Sequence, residues 1–268
     1  MDLQRPFYGV RIPTPAELTV FQRAEALVLT LPPNAFFSSI TAALLVGAPL
    51  PARLERDPSV HVAVPAPAHA PHGRGVVGHK VALMGADVRR WRGLPVSSPE
   101  RLWCEVANVL SMEDLVAVGD YLTSRSHPWT SRRRLADAAA RYPGRRGLRA
   151  LRRALELVDG RSESRKESVL RVILEEGGLS GFVPNPWTTT SGGYHYRLDL
   201  ALPALKIAIE YQSDYHRARE QFRGDMTRIS RLQADGWEVI QLNADDLLDR
   251  QELLRRIRRV IAARARTR

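Results

Sequence analysis

The sequence predicts an α/β protein in two parts. A mainly helical α+β domain occupies residues 1–160, and a three-layer α/β/α domain with a mixed sheet occupies residues 161–268. Three observations predict it. Helical and extended patterns alternate after Ser164, which sandwiches a sheet between helices. Residues 196–203 and 205–212 keep an apolar period of two, the mark of neighbouring strands with one buried face. Residues 158–164, polar and carrying Gly160, separate two helical patterns and read as the linker.

The elements follow in order. Residues 38–46 read as a short helix ended by Gly47 and the prolines Pro49 and Pro51. Residues 61–64 and 76–83 read as strands around a loop rich in proline and histidine. Ser98 with Pro99 supplies an N-cap and a favoured first helical residue for a helix reaching Leu110. Ser111 and Asp114 make a capping-box-like pair for a helix reaching Thr123. Helices follow at 131–141 and 146–158, the second with Leu148, Leu151, Leu155 and Val158 at helical spacing. The second half reads as a helix at 164–176, strands at 182–190, 194–202 and 205–212, a helix at 217–235, a strand at 237–242 and a helix at 245–265. Phe222, Met226, Ile229 and Leu232 fall on one helical face expected to meet the sheet, and Gly236 ends that helix.

Composition narrows the function classes. Hydrophobic content of 44% and charged content of 26% are those of a folded globular chain and exclude wholesale disorder. The net charge of +11 rests on arginine, which grips phosphate through paired hydrogen bonds, so nucleic acid is the favoured partner. Only three of the 40 basic residues are lysines, a bias that arginine-rich coding also produces. The single cysteine, Cys104, excludes an intramolecular disulfide and a multi-cysteine zinc site. Long apolar runs and a signal-like start are absent, so a cytoplasmic protein that does not enter membranes is expected. "GRGVVG" at 73–78 lacks the strand-turn-helix context of a dinucleotide site, and His69, His72 and His79 read as loop histidines rather than zinc ligands.

The period of two has a chemical consequence. Leu198, Leu200, Leu202, Leu205, Ile207 and Ile209 form one set, and Asp199, Ala201, Ala208, Glu210 and Gln212 form the other. Burying the first set brings Asp199 and Glu210 together on the opposite face, where two carboxylates repel unless a divalent cation joins them.

The motifs "KESVLRVIL" at 166–174, "YRLDLALPALKIAIEYQSDYHR" at 196–217 and "DMTRISRLQADGWEVIQLNADDL" at 225–247, with their spacing, resemble the PD-(D/E)XK nuclease superfamily. Within it, the run resembles the family of unknown-function domains related to very-short-patch-repair endonucleases. The resemblance implies a restriction-endonuclease-like fold, Mg²⁺ or alternatively Mn²⁺ as the ion, and DNA as substrate, with RNA served by the same metal chemistry. It implies that Asp199, Glu210 and the main-chain carbonyl of Tyr211 hold metal. Glu167 matches the first acidic position and would hold a water or a second ion; taken alone it reads as a solvated helix glutamate. Gln212 stands where the superfamily has lysine, and an amide can orient water but not take its proton at neutral pH. His216 falls where the family has histidine and suits a proton relay. Ser213 replaces the usual glycine, and the cysteines that hold the relatives' structural zinc are absent. Arg217, Arg219, Arg223, Arg228 and Arg231 are candidate phosphate contacts, with solvated arginines or an Asp225–Arg228 surface pair as the alternative.

The first half carries "RPFYGVR" at 5–11, "SSITAALLVGAPLP" at 38–51 and "GLPVSSPERL" at 93–102. These resemble the region preceding the nuclease-like domain in actinobacterial members and, more faintly, abortive-infection antitoxins. The expected function is a metal-dependent DNA endonuclease or nicking enzyme in repair or defence. The rival is a non-catalytic nucleic-acid-binding or antitoxin-like regulator on the same fold.

Overall fold

The computed structural model describes residues 3–13, 17–144, 146–212 and 219–266, with side chains described throughout these except at 3, 13 and 219–223. The chain divides into two compact units, Met1–Val158 and Asp159–Arg268, and the whole is mixed α/β.

In the first unit the elements are β1 (Leu3–Gln4), β2 (Ile12–Pro13), α1 (Val20–Val28), β3 (Phe36–Phe37), α2 (Ser39–Leu45) and α3 (Ala52–Glu55), then β4 (Val60–Pro65), β5 (Val76–Val81), β6 (Val88–Trp91) and β7 (Leu94–Ser97), and finally α4 (Pro99–Val106), α5 (Met112–Leu122), α6 (Arg132–Arg141) and α7 (Leu148–Leu157). Strands run in the order β5-β4-β3-β7-β6, a five-stranded mixed sheet. Helices predominate in this α+β half as expected, and the expected strands at 61–64 and 76–83 are β4 and β5, but the sheet is wider than expected. Its strands β3, β6 and β7 span only two to four residues each, too short for a period of two to register. Helix α1 also escaped, although Thr19 and Gln22 form a full capping box at its start. Ser98 and Ser111 cap α4 and α5 as the sequence requires.

A buried charge network joins these layers. Arg101 is 4% exposed and donates to Asp87, to Glu105 and to the Ala82 carbonyl. Glu105 in turn accepts from Ser97 Oγ and from the main-chain N–H of Ser39, a non-glycine residue at φ 50°. Gly119 in α5 leaves room for Trp103, since a Cβ there would lie 3.1 Å from the indole nitrogen and 2.5 Å from Val158.

The second unit runs α8 (Arg165–Glu176), β8 (Val183–Pro184), β9 (Trp187–Thr189), β10 (His195–Arg197), β11 (Leu200–Leu202), β12 (Ile207–Tyr211), α9 (Arg219–Ala234), β13 (Glu238–Leu242) and α10 (Arg250–Arg266). Strands β13-β12-β11-β8 form a mixed sheet, parallel between β12 and β13 and antiparallel elsewhere, while β9 and β10 form a separate hairpin. The expected strands 182–190 and 194–202 are therefore each broken in two. Pro184, Asn185 and Pro186 break the first, with Asn185 at φ 52°, and Asp199 sits at the break in the second.

Two apolar clusters flank this sheet. Leu200, Ile207 and Ile209 pack with Leu170, Ile173 and Leu174 of α8 and with Leu253 and Ile257 of α10. Ala201 and Ala208 pack with Leu198, Leu232 of α9 and Trp237. Leu198 was expected with Leu200, but the bend at Asp199 turns it to the other cluster. Met226 is also corrected: it is 54% exposed, while Ile229 and Leu232 face inward as expected. Phe222 lies outside the described side chains. Among the described residues no helix is long and apolar enough to cross a membrane.

Candidate active site

Strands β11 and β12 pair with Leu200 opposite Ile209 and Ala201 opposite Ala208. Continuing that register by one step sets Asp199 opposite Glu210, because opposite residues of an antiparallel pair share a face. The carboxylates meet in a cleft of about 140 Å³ lined by Asp199, Glu210, Gln212, Asp225, Arg228 and Gln241, among others. That volume is large enough for an ion with waters.

Each strand holds the other's acid. The Tyr211 N–H donates to Asp199 Oδ2 at 2.8 Å, and the Asp199 N–H faces the Glu210 carboxylate. Glu210 is 8% exposed. Its burial, reinforced by the negative charge of Asp199, pushes its carboxyl up to about 7 even though Arg228 pulls the other way. Two close carboxylates, one of them buried, make a donor set that suits a hard divalent cation.

Arg228 occupies the position such an ion competes for. Its Nη2 lies 3.0 Å from both oxygens of Glu210 and also donates to the Arg197 carbonyl, with the Tyr196 ring 5.9 Å from the guanidinium. Arg228 was expected to contact phosphate or to pair with Asp225; instead it turns inward onto Glu210. Arg231 is also drawn in, stacking 3.6 Å over the Tyr194 ring and donating to the Tyr196 hydroxyl. Spacing on α9 accounts for this convergence, since Asp225, Arg228, Ile229 and Leu232 recur at helical intervals along one face.

The remaining expected residues are placed as follows. Glu167 does not line the cleft; Ser164 caps α8, and the Glu167 carboxylate accepts from the Glu163 N–H and from Asn185 Nδ2 at 2.6 Å. Asn185 also donates its main-chain N–H to the Asp199 carbonyl, so a single residue bridges Glu167 and Asp199. Gln212 lines the cleft just past β12, its N–H held by the Leu242 carbonyl. Tyr211 ends β12, and Lys166 Nζ sits 4.4 Å over its ring. His216 and Arg217 lie outside the described residues, and the side chains of Arg219 and Arg223 lie outside the described side chains.

Sequence reasoning missed Asn185 and Gln241. The Pro-Asn-Pro run could have flagged the first as a turn, and the parallel pairing of Gln241 with Glu210 flags the second only once the sheet is known. A larger cleft of about 450 Å³ lies in the first unit, around Arg101 and Tyr142. Size favours it, but the smaller cleft holds two facing carboxylates, one of them pushed up to about 7 by burial and then by the charge of the other.

Two proteins of Mycobacterium tuberculosis resemble this chain over nearly all its length. The uncharacterized proteins MT2308 (strain CDC 1551 / Oshkosh) and Rv2248 (strain ATCC 25618 / H37Rv) are each 30% identical over 250 residues, covering 91% of this chain and 87% of their own. The chain belongs to their family. The match covers residues of both units. No family model matches the chain, and no solved structure matches it.

Proposed function

We propose that this chain is a metal-dependent DNA endonuclease of the PD-(D/E)XK type, cleaving or nicking phosphodiester bonds in repair or defence. One observation carries the reading: Asp199 and Glu210 line one cleft from neighbouring strands, where burial and the negative charge of Asp199 push the Glu210 carboxyl up to about 7. Helices packed against both faces of the mixed sheet support a three-layer, restriction-endonuclease-like reading of the second unit. In that reading Mg²⁺, or Mn²⁺ in its place, is held by Asp199, Glu210 and the Tyr211 carbonyl.

When bound, the ion activates water and offsets the charge that builds on the phosphate. The residues do the rest. Gln212 orients the attacking water without accepting its proton. His216 relays a proton. Asn185 ties Glu167 to the strand bend that carries Asp199, so Glu167 acts as a positioning residue for that acid. A bound ion would compete with Arg228 for Glu210, and a guanidinium so displaced would suit the phosphate. Arg217, Arg219, Arg223 and Arg231 extend that contact along the backbone.

The test is supercoiled plasmid with the full chain and Mg²⁺. Wild type should nick it and Asp199→Ala should lose at least 100-fold in rate, as metal-ligand removal does; equal behaviour of the two would overturn the reading. The Arg228–Glu210 pair and Gln212 favour one rival, a nucleic-acid-binding regulator that has lost catalysis. Tight binding in chelator with no cleavage in any divalent metal would decide for it.

A further inference from the structure

The chain's positive charge is not spread evenly. Residues 1–158 hold 21 basic and 13 acidic residues, whereas residues 159–268 hold 19 and 16, so most of the +11 belongs to the unit without the carboxylate cleft. Within that unit it is concentrated again. Residues 132–153 carry nine arginines against one acid, Asp137, where an even spread of basic residues would put about three. Arginine-rich coding raises the count everywhere and does not explain a cluster.

The structure shows where the cluster points. Helices α6 and α7 pack on each other, and Arg132 Nε at the start of α6 donates to the Leu155 carbonyl near the end of α7, so the two run antiparallel. Leu135, Leu151, Ala154 and Leu157 are the buried side of this hairpin. The eight described arginines, 132, 133, 134, 141, 146, 149, 152 and 153, are all exposed. Arg153 pairs with Glu156, and Arg132 is used within the hairpin. The other six make no ion pair among the described residues. Solvated arginines this dense repel one another, and a polyanion is what relieves it.

We infer that the arginine face of α6 and α7 is a docking surface for duplex DNA, gripping the phosphate backbone without reading bases. Each helix is about 15 Å long, and a duplex presents roughly nine phosphate charges over that length, more than enough to engage the six remaining arginines. Neither helix carries an aromatic residue, so the helices themselves offer no platform for stacking bases, as single-strand binding requires. A rigid array of charges on two packed helices matches an equally rigid array of phosphates. The inference extends the nuclease reading to a second surface, yet it stands on charge and exposure alone.

The test is binding of the full chain, in chelator, to a fluorescein-labelled duplex of arbitrary sequence, followed by anisotropy across a range of NaCl concentrations. The triple variant Arg133→Gln, Arg149→Gln, Arg152→Gln should lower the slope of log K against log salt by about two to three, with affinity at 0.1 M salt falling by roughly 100-fold or more. The same three positions changed to lysine should keep the wild-type slope, which separates loss of charge from loss of fold. An unchanged slope in the glutamine variant, or its loss in the lysine variant, would overturn the inference. So would equal wild-type affinity for single-stranded DNA or for vesicles rich in phosphatidylserine. Absence of cleavage with this salt dependence intact would sink the nuclease reading and leave the docking surface standing.

Discussion

Replacing Glu210 by glutamine should change how stability depends on pH. The folded carboxyl sits at about 7 against an ordinary 4.5. Between those values the folded state keeps a proton that the unfolded chain has released. Stability is therefore fully present below about pH 4.5, declines as pH rises, and levels off above about 7. The gap is worth about 3 kcal/mol, and for a unit of this size that is on the order of 10 °C in melting midpoint. Glu210→Gln has no proton to lose, so its second unit should keep its low-pH stability up to pH 8. Thermal melts of the full chain from pH 5 to 8 in chelator read this directly. His61 and His79, whose ring nitrogens lie 3.0 Å apart, are held below the usual histidine range, by burial in each case and for His61 also by the charge of its neighbour. They act with the opposite sign, losing stability as pH falls, but they are common to both proteins and cancel in the difference. An equal pH slope in wild type and variant would refute the reasoning. Mg²⁺ should restore wild-type stability at pH 8, by about 2.7 kcal/mol at 100 times its Kd, and do nothing for the variant.

Two further outcomes follow from the first unit. Arg101→Met strands Asp87 and Glu105 without their shared cation, which should cost about 3–5 kcal/mol in chemical denaturation; a loss under 1 kcal/mol would mean the network is not what joins the sheet to α4. Cys104 is 2% exposed, and burial, with the charge of Glu105 behind it, pushes its thiol up to about 12. Iodoacetamide at pH 8 should leave it intact in the folded protein and alkylate it in denaturant, as mass spectrometry would read; labelling of native protein would contradict its placement.

The site was legible in the sequence wherever one rule governed. A period of two over 205–212 and its neighbour is enough to bring Asp199 and Glu210 to one face, since the buried leucines and isoleucines leave the acids no other side. The same rule misplaced Leu198, because a bend at Asp199 resets the alternation and only the contacts of Asn185 reveal it. Partner choice was not legible. Arg228 has Asp225 as a helical neighbour, but Glu210, distant in sequence, is buried and offers the stronger attraction in a drier setting. Strands of two to four residues, as in β3 and β6, are too brief to carry a pattern, so only β4 and β5 of the first unit's sheet were legible. Capped helices read best: α5 and α8 match almost to the residue, and α4 starts where Ser98 and Pro99 place it but ends at Val106 rather than Leu110.

Crystals soaked in Mn²⁺ at pH 8 test the metal reading most directly, through the anomalous signal of the ion. A peak between the carboxylates of Asp199 and Glu210, with Arg228 displaced from Glu210, is the result expected. An empty cleft with the guanidinium still seated on Glu210 would contradict it.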